Sequence, residues 1–420
     1  MSKLYKGKTS KLIDLCDSIT DCHHSTPKWT DEGKIVIRNF NVKNGKLLLD
    51  EISYTDEVTY QERISRNTPK EGDLVISREA PMGEVCIIPE GIECCLGQRL
   101  VLIKPNPNKI NNRYLLYSLL SEYVQKQIKS SENTGSIVSN LRIPDLKNLN
   151  IPLNNNQEKI AAVLSALDAK IELNNCINAE LENLAKTIYD YWFVQFDFPN
   201  RNGKPYKSSG GEMVYNKECD RAIPAGWEVI PINKLIDVTD GTHDSPKPSE
   251  NGFHLITSKH LSKNGIDFGS AYLISEEDYI NINKRSQVEQ NDILISMIGT
   301  IGTTYFVKES SINFAIKNIG LFKTSQNLEV SELLYLFFNS LHGKQYFISN
   351  TSGSIQNYLT LGVLRSIPLI IPIDKILSCF NQKIKPIYNK IHLNNQENQQ
   401  LTQLRDWLLP MLMNGQISIK

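Results

Sequence analysis

The chain has 420 residues, 40% of them hydrophobic and 22% charged, and its 46 basic residues balance 46 acidic ones. This length predicts at least two domains, and the composition is typical of a soluble globular protein. Zero net charge argues against a protein that binds nucleic acid by bulk electrostatics alone, because neutralising phosphates needs an excess of Lys and Arg. It leaves open a protein that recognises base edges while its partners supply the phosphate contacts.

No run approaches 18 apolar residues and the first residues lack an apolar secretory core, so we expect a cytoplasmic protein without membrane association. The eight cysteines are scattered without a CxxC pair, which indicates reduced thiols. The triplet Cys22-His23-His24 resembles part of a metal site, but no second pair of ligands has zinc-site spacing. We therefore expect no metal.

Along the chain, short apolar runs come before long helical patterns. The segments KIVIRNF (34–40), GDLVIS (72–77) and EVCIIP (84–89) predict strands, and residues 111–128 have the apolar spacing of a helix. A longer helix follows from residue 157, and then a stretch rich in Gly, Pro, Ser and Lys that predicts a linker or surface loop. A second series of strands and helices completes the chain.

This second series repeats the first. KLID at Lys11 recurs at Lys234, TDCHHSTPK at Thr20 recurs as TDGTHDSPK, and KIELNN at Lys170 recurs as KIHLNN. GDLVIS, YLLYSLL, TGSI and NIPL also have counterparts in the same order, each about 220 residues later. Chance similarity does not preserve order over so many landmarks, so the chain is a duplicated mixed α/β unit that ends in a long helix.

Both long helices carry a four-three apolar spacing with two asparagines in the middle, which is a coiled-coil pattern with polar residues that fix the register. We predict a seam between them formed by Ile160, Leu164, Leu167, Ile171, Asn174, Asn178 and Leu181 of the first helix and Ile384, Ile387, Ile391, Asn394, Asn398, Leu401 and Leu408 of the second. The alternative is that each helix packs on its own domain. Pro386 predicts a break or kink near the start of the second helix.

Familiar catalytic motifs are missing. The sequence contains no GxxxxGK[ST], no dinucleotide-binding glycine loop, no NPPY, no GxSxG and no HExxH. Pro144-Asp145 followed by Asp168-Ala169-Lys170 imitates a nuclease pattern, but Asp168 falls on the long helix rather than on a strand. We therefore expect no catalytic residues in this chain.

Two segments carry a family resemblance. NNNQEKIAAVLSALDAKIELNNCINAELENLAKTIYDYWFVQFDFPN and IPAGWEVIPINKLIDVTDGTHDSPKP resemble the central helix and the start of a recognition domain in specificity subunits of type I restriction-modification systems. The resemblance implies an α/β (mixed α+β) fold with two similar target recognition domains, two long antiparallel coiled-coil helices and a pseudo-twofold internal repeat. It implies recognition domains at 1–153 and 223–372, helices at 154–197 and 373–416, and a linker loop at 198–222.

The same resemblance implies the function. Each domain would recognise one half of a bipartite, asymmetric site in double-stranded DNA, and the helices would set the spacer and dock two methyltransferase subunits. Those partners would hold S-adenosylmethionine, cleavage and translocation would belong to restriction/translocase subunits, and this chain would carry no cofactor. The alternative is a duplicated coiled-coil scaffold that binds proteins and no DNA, which the zero net charge favours slightly.

Base recognition needs exposed side chains with paired donors and acceptors. Our candidates are Lys28, Arg38, Asn39, Arg78, Gln98 and Arg99 in the first copy, and Lys247, Thr257, Lys259, His260, Lys317 and Asn318 in the second. A solvated surface role remains an alternative for each. Gly135-Ser136 and Gly353-Ser354 would present backbone N–H groups to phosphates, or form simple tight turns.

Overall fold

The chain folds into two compact units. Unit 1 comprises Met1–Asn174 and Gln396–Lys420, and unit 2 comprises Asn175–Asn395. The computed structural model describes residues 7–131, 140–262, 265–353, 357–417 and 419. The segments 132–139 and 354–356, which include Gly135, Ser136 and Ser354, lie outside the described residues, so the predicted phosphate contacts there stay predictions.

Unit 1 is a mixed α/β domain. Its strands are β1 (Thr9–Lys11), β2 (Cys16–Asp21), β3 (Trp29–Thr30), β4 (Lys34–Ile37), β5 (Val42–Lys43), β6 (Lys46–Leu47), β7 (Ser53–Thr55), β8 (Leu74–Ser77), β9 (Val85–Ile87), β10 (Cys94–Leu96), β11 (Leu100–Pro105) and β12 (Asn150–Pro152). Its helices are α1 (Glu57–Ile64), α2 (Asn112–Leu120), α3 (Glu122–Ser130) and α4 (Ile143–Lys147), followed by α5 (Gln157–Tyr189), which continues into unit 2.

Unit 2 is also a mixed α/β domain, with a similar order of elements. Its strands are β13 (Met213–Asn216), β14 (Arg221–Pro224), β15 (Glu228–Pro231), β16 (Val238–Asp240), β17 (Phe253–Thr257), β18 (Leu261–Ser262), β19 (Gly265–Ile266), β20 (Leu273–Ile274), β21 (Ile293–Ser296), β22 (Thr304–Phe306), β23 (Phe314–Lys317), β24 (Ile319–Phe322) and β25 (Pro368–Ile371). Its helices are α6 (Glu276–Ser286), α7 (Ser331–Asn339), α8 (Leu341–Ser349) and α9 (Leu361–Arg365), and α10 (Asp374–Met413) continues into unit 1.

Sheet topology confirms the duplication. The antiparallel sheet β2-β11-β8-β9 of unit 1 corresponds to β16-β24-β21-β22 of unit 2. A second sheet joins β10 to β4 in parallel in unit 1, and β23 to β17 in parallel in unit 2. The two-stranded antiparallel pairs β1-β12 and β15-β25 also correspond. A mixed α/β fold present twice is therefore the architecture of the chain.

The single helix expected at 111–128 is wrong in one respect, because this segment forms two helices, α2 and α3. Unit 2 has two helices, α7 and α8, at the equivalent place. Ser121 separates α2 from α3, and its hydroxyl accepts a hydrogen bond from the Val124 backbone N–H. Ser340 separates α7 from α8 and caps Gly343 in the same way. Both serines have an extended backbone that ends one helix and caps the next.

The long helices complete the core of each unit. In unit 1, Ile160 and Leu164 of α5 join a buried cluster that also contains Leu412 and Met413 of α10. In unit 2, Phe380 and Ile384 of α10 share a second cluster with the aromatic end of α5. Helix α10 runs through Pro386 without interruption, so a break there is wrong and a kink stays a prediction.

Paired asparagines join the two helices in both units. In unit 1, Asn174 Nδ2 donates to Asn398 Oδ1 at 3.0 Å and to Glu397 Oε2 at 2.8 Å. In unit 2, Asn394 Nδ2 donates to Asn178 Oδ1 at 2.8 Å. Residue numbers fall along α10 as they rise along α5, so the paired segments are antiparallel.

The other seam positions follow the same interface. The buried positions are Asn174, Asn178, Asn394, Ile160, Leu164, Ile171, Ile384, Ile387 and Ile391, and the half-buried ones are Asn398, Leu167, Leu181, Leu401 and Leu408. The helices therefore pair with each other and also pack on the body of each unit, so the two alternatives of the sequence analysis occur together.

We predict that replacing Asn174, Asn178, Asn394 and Asn398 together by Leu stabilises the helix pair. Exchanging buried polar contacts for apolar packing is neutral or stabilises by about 1–4 kcal/mol, whereas the asparagines specify one register. Thermal melting should shift upward while the spacer of the modified DNA site becomes less uniform. The exposed Asn183 provides the control, because Asn183→Leu should leave both measurements unchanged. A lower Tm with an unchanged spacer would contradict this role.

The segment 198–222 is more than the linker that its composition predicted. It includes β13 and the start of β14, which pair antiparallel from Met213 opposite Pro224 to Asn216 opposite Arg221. Phe198 is buried and stacks on Tyr206 with ring centroids 4.7 Å apart. Aromatic burial therefore anchors this segment to the core of unit 2. Within the described part of the chain, no helix is long and apolar enough to cross a membrane.

Candidate nucleic-acid interface

In unit 1 the predicted contact residues come from loops at one end of the sheets. Asp21 at the end of β2 lies opposite Val101, and Ser77 at the end of β8 lies opposite Leu100. The parallel partners β4 and β10 end side by side, with Ile37 opposite Leu96. The residues that follow these ends are Lys28, Arg38, Asn39, Arg78, Gln98 and Arg99.

Hydrogen bonds hold these loops against one another. The Arg78 backbone N–H donates to Arg99 O at 2.8 Å, and Asn39 Nδ2 donates to Glu79 O at 2.7 Å. The Gln98 amide donates to the carbonyl of His24. The structure therefore brings the six predicted residues of unit 1 into one surface, which we call interface 1.

Several cations of interface 1 are paired with carboxylates. Arg78 Nη1 lies 2.9 Å from Asp21 Oδ2, and its Nε donates to Leu141 O. Arg99 Nε lies 3.2 Å from Glu79 Oε2, and Lys28 Nζ lies 2.8 Å from Asp56 Oδ2. Only 12% of the Arg78 side chain is exposed, so its geometry supports a structural role that orders the loops.

Unit 2 builds the equivalent surface, interface 2, from different side chains. Asp240 at the end of β16 contacts Arg285, and its Oδ2 lies 3.1 Å from His243 Nε2. The other ring nitrogen of His243 lies 2.8 Å from Asn318 Oδ1. Lys317 Nζ donates to Ser245 Oγ, while Lys247 and Lys259 are exposed. Asn318 and its counterpart Arg99 both have left-handed backbones, with φ of 52° and 67°.

His260 does not have the surface position that we expected. Its side chain is 2% exposed, and its Nδ1 accepts a hydrogen bond from the Thr257 backbone N–H at 3.0 Å. Burial, and secondarily Lys259, lowers the pKa of His260, so a neutral imidazole serves as acceptor. Asn41 has the same role in unit 1, where its Oδ1 accepts from the Arg38 N–H at 2.9 Å. His260 therefore fixes the turn that carries Thr257 and Lys259.

Sequence reasoning overlooked the Asp–His pair in each unit. His24 Nε2 lies 3.2 Å from Asp21 Oδ2, as His243 does from Asp240. The signal was present, because TDxxH is among the landmarks that recur in the duplication. The histidine rings are 66% exposed in both units, beside the predicted contact residues.

The segment Cys22-His23-His24 belongs to the loop that follows β2. Burial raises the pKa of the Cys22 thiol, and burial together with nearby Arg66 and Arg63 lowers the pKa of His23. Among the described residues, no group of three or more His, Cys, Asp or Glu side chains has a geometry that would hold a metal ion.

Comparison with known proteins places this geometry in a family. The model of the type I restriction modification DNA specificity domain matches residues 6–183 and again residues 224–403. The chain belongs to the type I restriction-modification DNA specificity family. Both copies of the family domain coincide with the duplicated folds and include the loops of interfaces 1 and 2.

Relatives of this specificity-family chain extend over most of its length. It is 27% identical over 363 residues to the type I restriction enzyme MjaIX specificity subunit of Methanocaldococcus jannaschii, covering 83% of this chain and 78% of the relative. It is 25% identical to the HindI specificity subunit of Haemophilus influenzae, covering 91% and 94%. The fold resembles the S subunit from M. genitalium, with a TM-score of 0.58, 17% identity and coverage of 98% and 97%.

Proposed function

We propose that this specificity-family chain recognises DNA for a type I restriction-modification complex. Each unit recognises one half of a bipartite, asymmetric site, and helices α5 and α10 set the spacer between the halves and dock two methyltransferase subunits. S-adenosylmethionine belongs to those partners, and cleavage and translocation belong to restriction/translocase subunits.

One observation carries the proposal: the same loop scaffold occurs in both units with different side chains. The turn after β4 exposes Arg38, whereas the equivalent turn after β17 exposes Lys259. The junction before β11 carries Arg99, and the junction before β24 carries Asn318. A shared scaffold with divergent donors and acceptors is what two independent recognition domains for unequal half-sites require.

The long helices support the spacer role. Helix α5 has 33 residues, which corresponds to about 50 Å at about 1.5 Å per residue. Base pairs rise about 3.4 Å, so an element of this length extends over more than one turn of duplex DNA. Two major-groove half-sites on one face of DNA need a separation of that order.

Side-chain contacts support a chain without nuclease chemistry. Asp168 accepts hydrogen bonds from Tyr117 at 2.6 Å and from Arg405 at 2.9 Å, and Asp145 is bound by Arg142 at 2.7 Å. Burial and the Asp168 carboxylate raise the pKa of Tyr117, which keeps it a donor. Both acidic residues of the nuclease-like pattern therefore have structural partners that hold the helices and α4.

The competing function is a protein-binding scaffold that does not contact DNA. Zero net charge and the carboxylate partners of Arg78, Arg99 and Arg285 favour it. Selective DNA binding separates the two functions.

We predict that the purified chain alone neither methylates nor cleaves DNA in the presence of S-adenosylmethionine and magnesium. With an adenine methyltransferase subunit of the same system, it should direct methylation to one bipartite site. Radiolabelled methyl transfer and sequencing of modified bases measure both results. Methyl transfer by the isolated chain, or unselective DNA binding by the complex, would contradict the proposal.

A further inference from the structure

Arg38 differs from the other cations of interface 1 because two aromatic rings lie close to its guanidinium. Its guanidinium carbon is 5.1 Å from the centroid of the Trp29 ring and 4.8 Å from that of Phe40. Both rings are 44% exposed, so their apolar faces are not explained by a packed core. Aromatic faces attract a guanidinium and restrict its plane, which orients its fork of N–H donors.

The charge of Arg38 is also not neutralised. Arg78, Arg99 and Lys28 each face a carboxylate, but Arg38 forms no ion pair with any residue that the structure describes. Its guanidinium has one long contact, 3.4 Å from Nη1 to Ser53 Oγ. The remaining N–H groups are therefore available to a ligand.

The fold of unit 1 brings together Trp29, Arg38 and Phe40, which we call the clamp. Trp29 lies on β3, the outermost strand of its sheet, opposite Thr55. The Thr55 hydroxyl donates to Lys28 O at 2.7 Å and fixes the start of that strand. Arg38 precedes the 3-10 turn Asn39–Asn41, which contains Phe40 and which Asn41 holds through the Arg38 N–H and through the Leu48 carbonyl.

Gly97 allows the loop before β11 to lie close to the turn that carries Arg38. A Cβ atom there would lie 2.8 Å from Ile37 O, closer than a Cβ atom normally comes to a carbonyl oxygen, so a glycine lets this junction lie against the backbone just before Arg38.

Unit 2 has the turn without the clamp. Thr257 takes the place of Arg38 at the turn that His260 caps, and Lys259 takes the place of Phe40. Among the described strands of unit 2, the sheet ends at β20, with no equivalent of β3. The clamp is therefore specific to unit 1 rather than a part of the repeated scaffold.

We propose that Trp29 and Phe40 position Arg38 for two parallel hydrogen bonds to O6 and N7 of a guanine in the major groove. The inference rests on the proposed function and deepens it, because it assigns a base to one position of the half-site that unit 1 recognises. Guanine is the base that presents two acceptors to an arginine fork. A guanidinium held against two rings is already partly ordered, so it loses less freedom on binding than a free side chain.

The test is a methylation map of the complex with its methyltransferase subunit, on DNA with randomised half-sites. Arg38→Ala should relax one G·C position by about 5-fold to 150-fold, the factor that corresponds to about 1–3 kcal/mol for a bidentate contact. Arg38→Lys should relax the same position, because ammonium lacks the fork. Trp29→Ala combined with Phe40→Ala should relax it by a smaller factor, with the other positions unchanged.

Two matched variants provide controls. Ser53→Ala removes only the long contact to Arg38 and should leave every position unchanged, and Lys259→Ala should affect only the other half-site. If the double aromatic variant fails to fold, Arg38→Lys still tests the guanine assignment, because it retains the positive charge and both rings.

Three results for Arg38→Ala would overturn the guanine assignment alone. The first is DNA binding that weakens equally at all sequences with a salt slope reduced by about 1, which marks a phosphate contact. The others are relaxation at an A·T position and unchanged discrimination between bases. Failure of the unchanged complex to methylate selectively would instead overturn the proposed function, and the assignment with it.

Discussion

Four residues inserted into both long helices should lengthen the spacer of the modified DNA site by about one base pair. Asn174 pairs with Asn398, and Asn178 pairs with Asn394, so insertions after Cys176 and after Asn395 lie opposite each other and leave both pairs intact. Four residues add about 6 Å and about 400°, a net rotation of about 40°. One base pair adds about 3.4 Å and about 34–36°, so the rotations nearly match.

A seven-residue insertion at the same points should abolish modification. It retains the helix face but adds about 10 Å, which equals about three base pairs. Those pairs rotate the second half-site by about 100°, away from its recognition domain. The control is an insertion of four residues into α5 alone, which moves one asparagine of α5 away from its partner on α10. This variant should also abolish modification. Genome-wide methylation mapping measures each spacer, and an unchanged spacer in the doubly inserted four-residue variant would show that the helices do not set it.

Trp192→Ala should be among the most destabilising single substitutions in unit 2. Trp192 is 5% exposed, and its ring centroid lies 5.6 Å from that of Phe380 and 6.4 Å from that of Phe198. Truncating a buried Trp costs about 3–5 kcal/mol through lost burial and a residual cavity. Because the chain has two units, hydrogen exchange should show the loss of protection in unit 2.

The neighbouring Tyr191 is the matched control for Trp192. It occupies the next position of the same helical turn but is 38% exposed. Tyr191→Ala should change the free energy of unfolding by no more than about 0.5 kcal/mol. Equal destabilisation by both substitutions, measured by urea unfolding, would contradict the assignment of Trp192 to the core.

Features with a local or periodic signal were predictable from the sequence. The ordered landmarks predicted the duplication, and the four-three spacing located the two long helices and the asparagines of their seam. The buried strand Leu74–Ser77 followed from an apolar run between turn residues. Each of these depends on neighbours along the chain or on a period that survives in one sequence.

Features that depend on tertiary contacts were not predictable. Ser121 interrupts a helix although the apolar spacing continues past it, because capping competes with a pattern that shows no break. His260 looked like a surface donor because its backbone acceptor role appears only after the turn folds. Trp29 is close to Arg38 only because β3 joins the sheet beside β7, a pairing that no short-range signal specifies.

The central claim is that each unit recognises its own half-site, and replacing one unit tests it most directly. Residues 1–153 would be exchanged for the corresponding domain of another specificity-family protein, joined before α5 begins at Gln157. The apolar residues Ile160 and Leu164 must find equivalent partners in the graft, because they pack in the core of unit 1. Methylation mapping of the complex should show one half-site replaced, with the spacer and the other half-site unchanged. Alteration of both half-sites would contradict independent recognition by the two units.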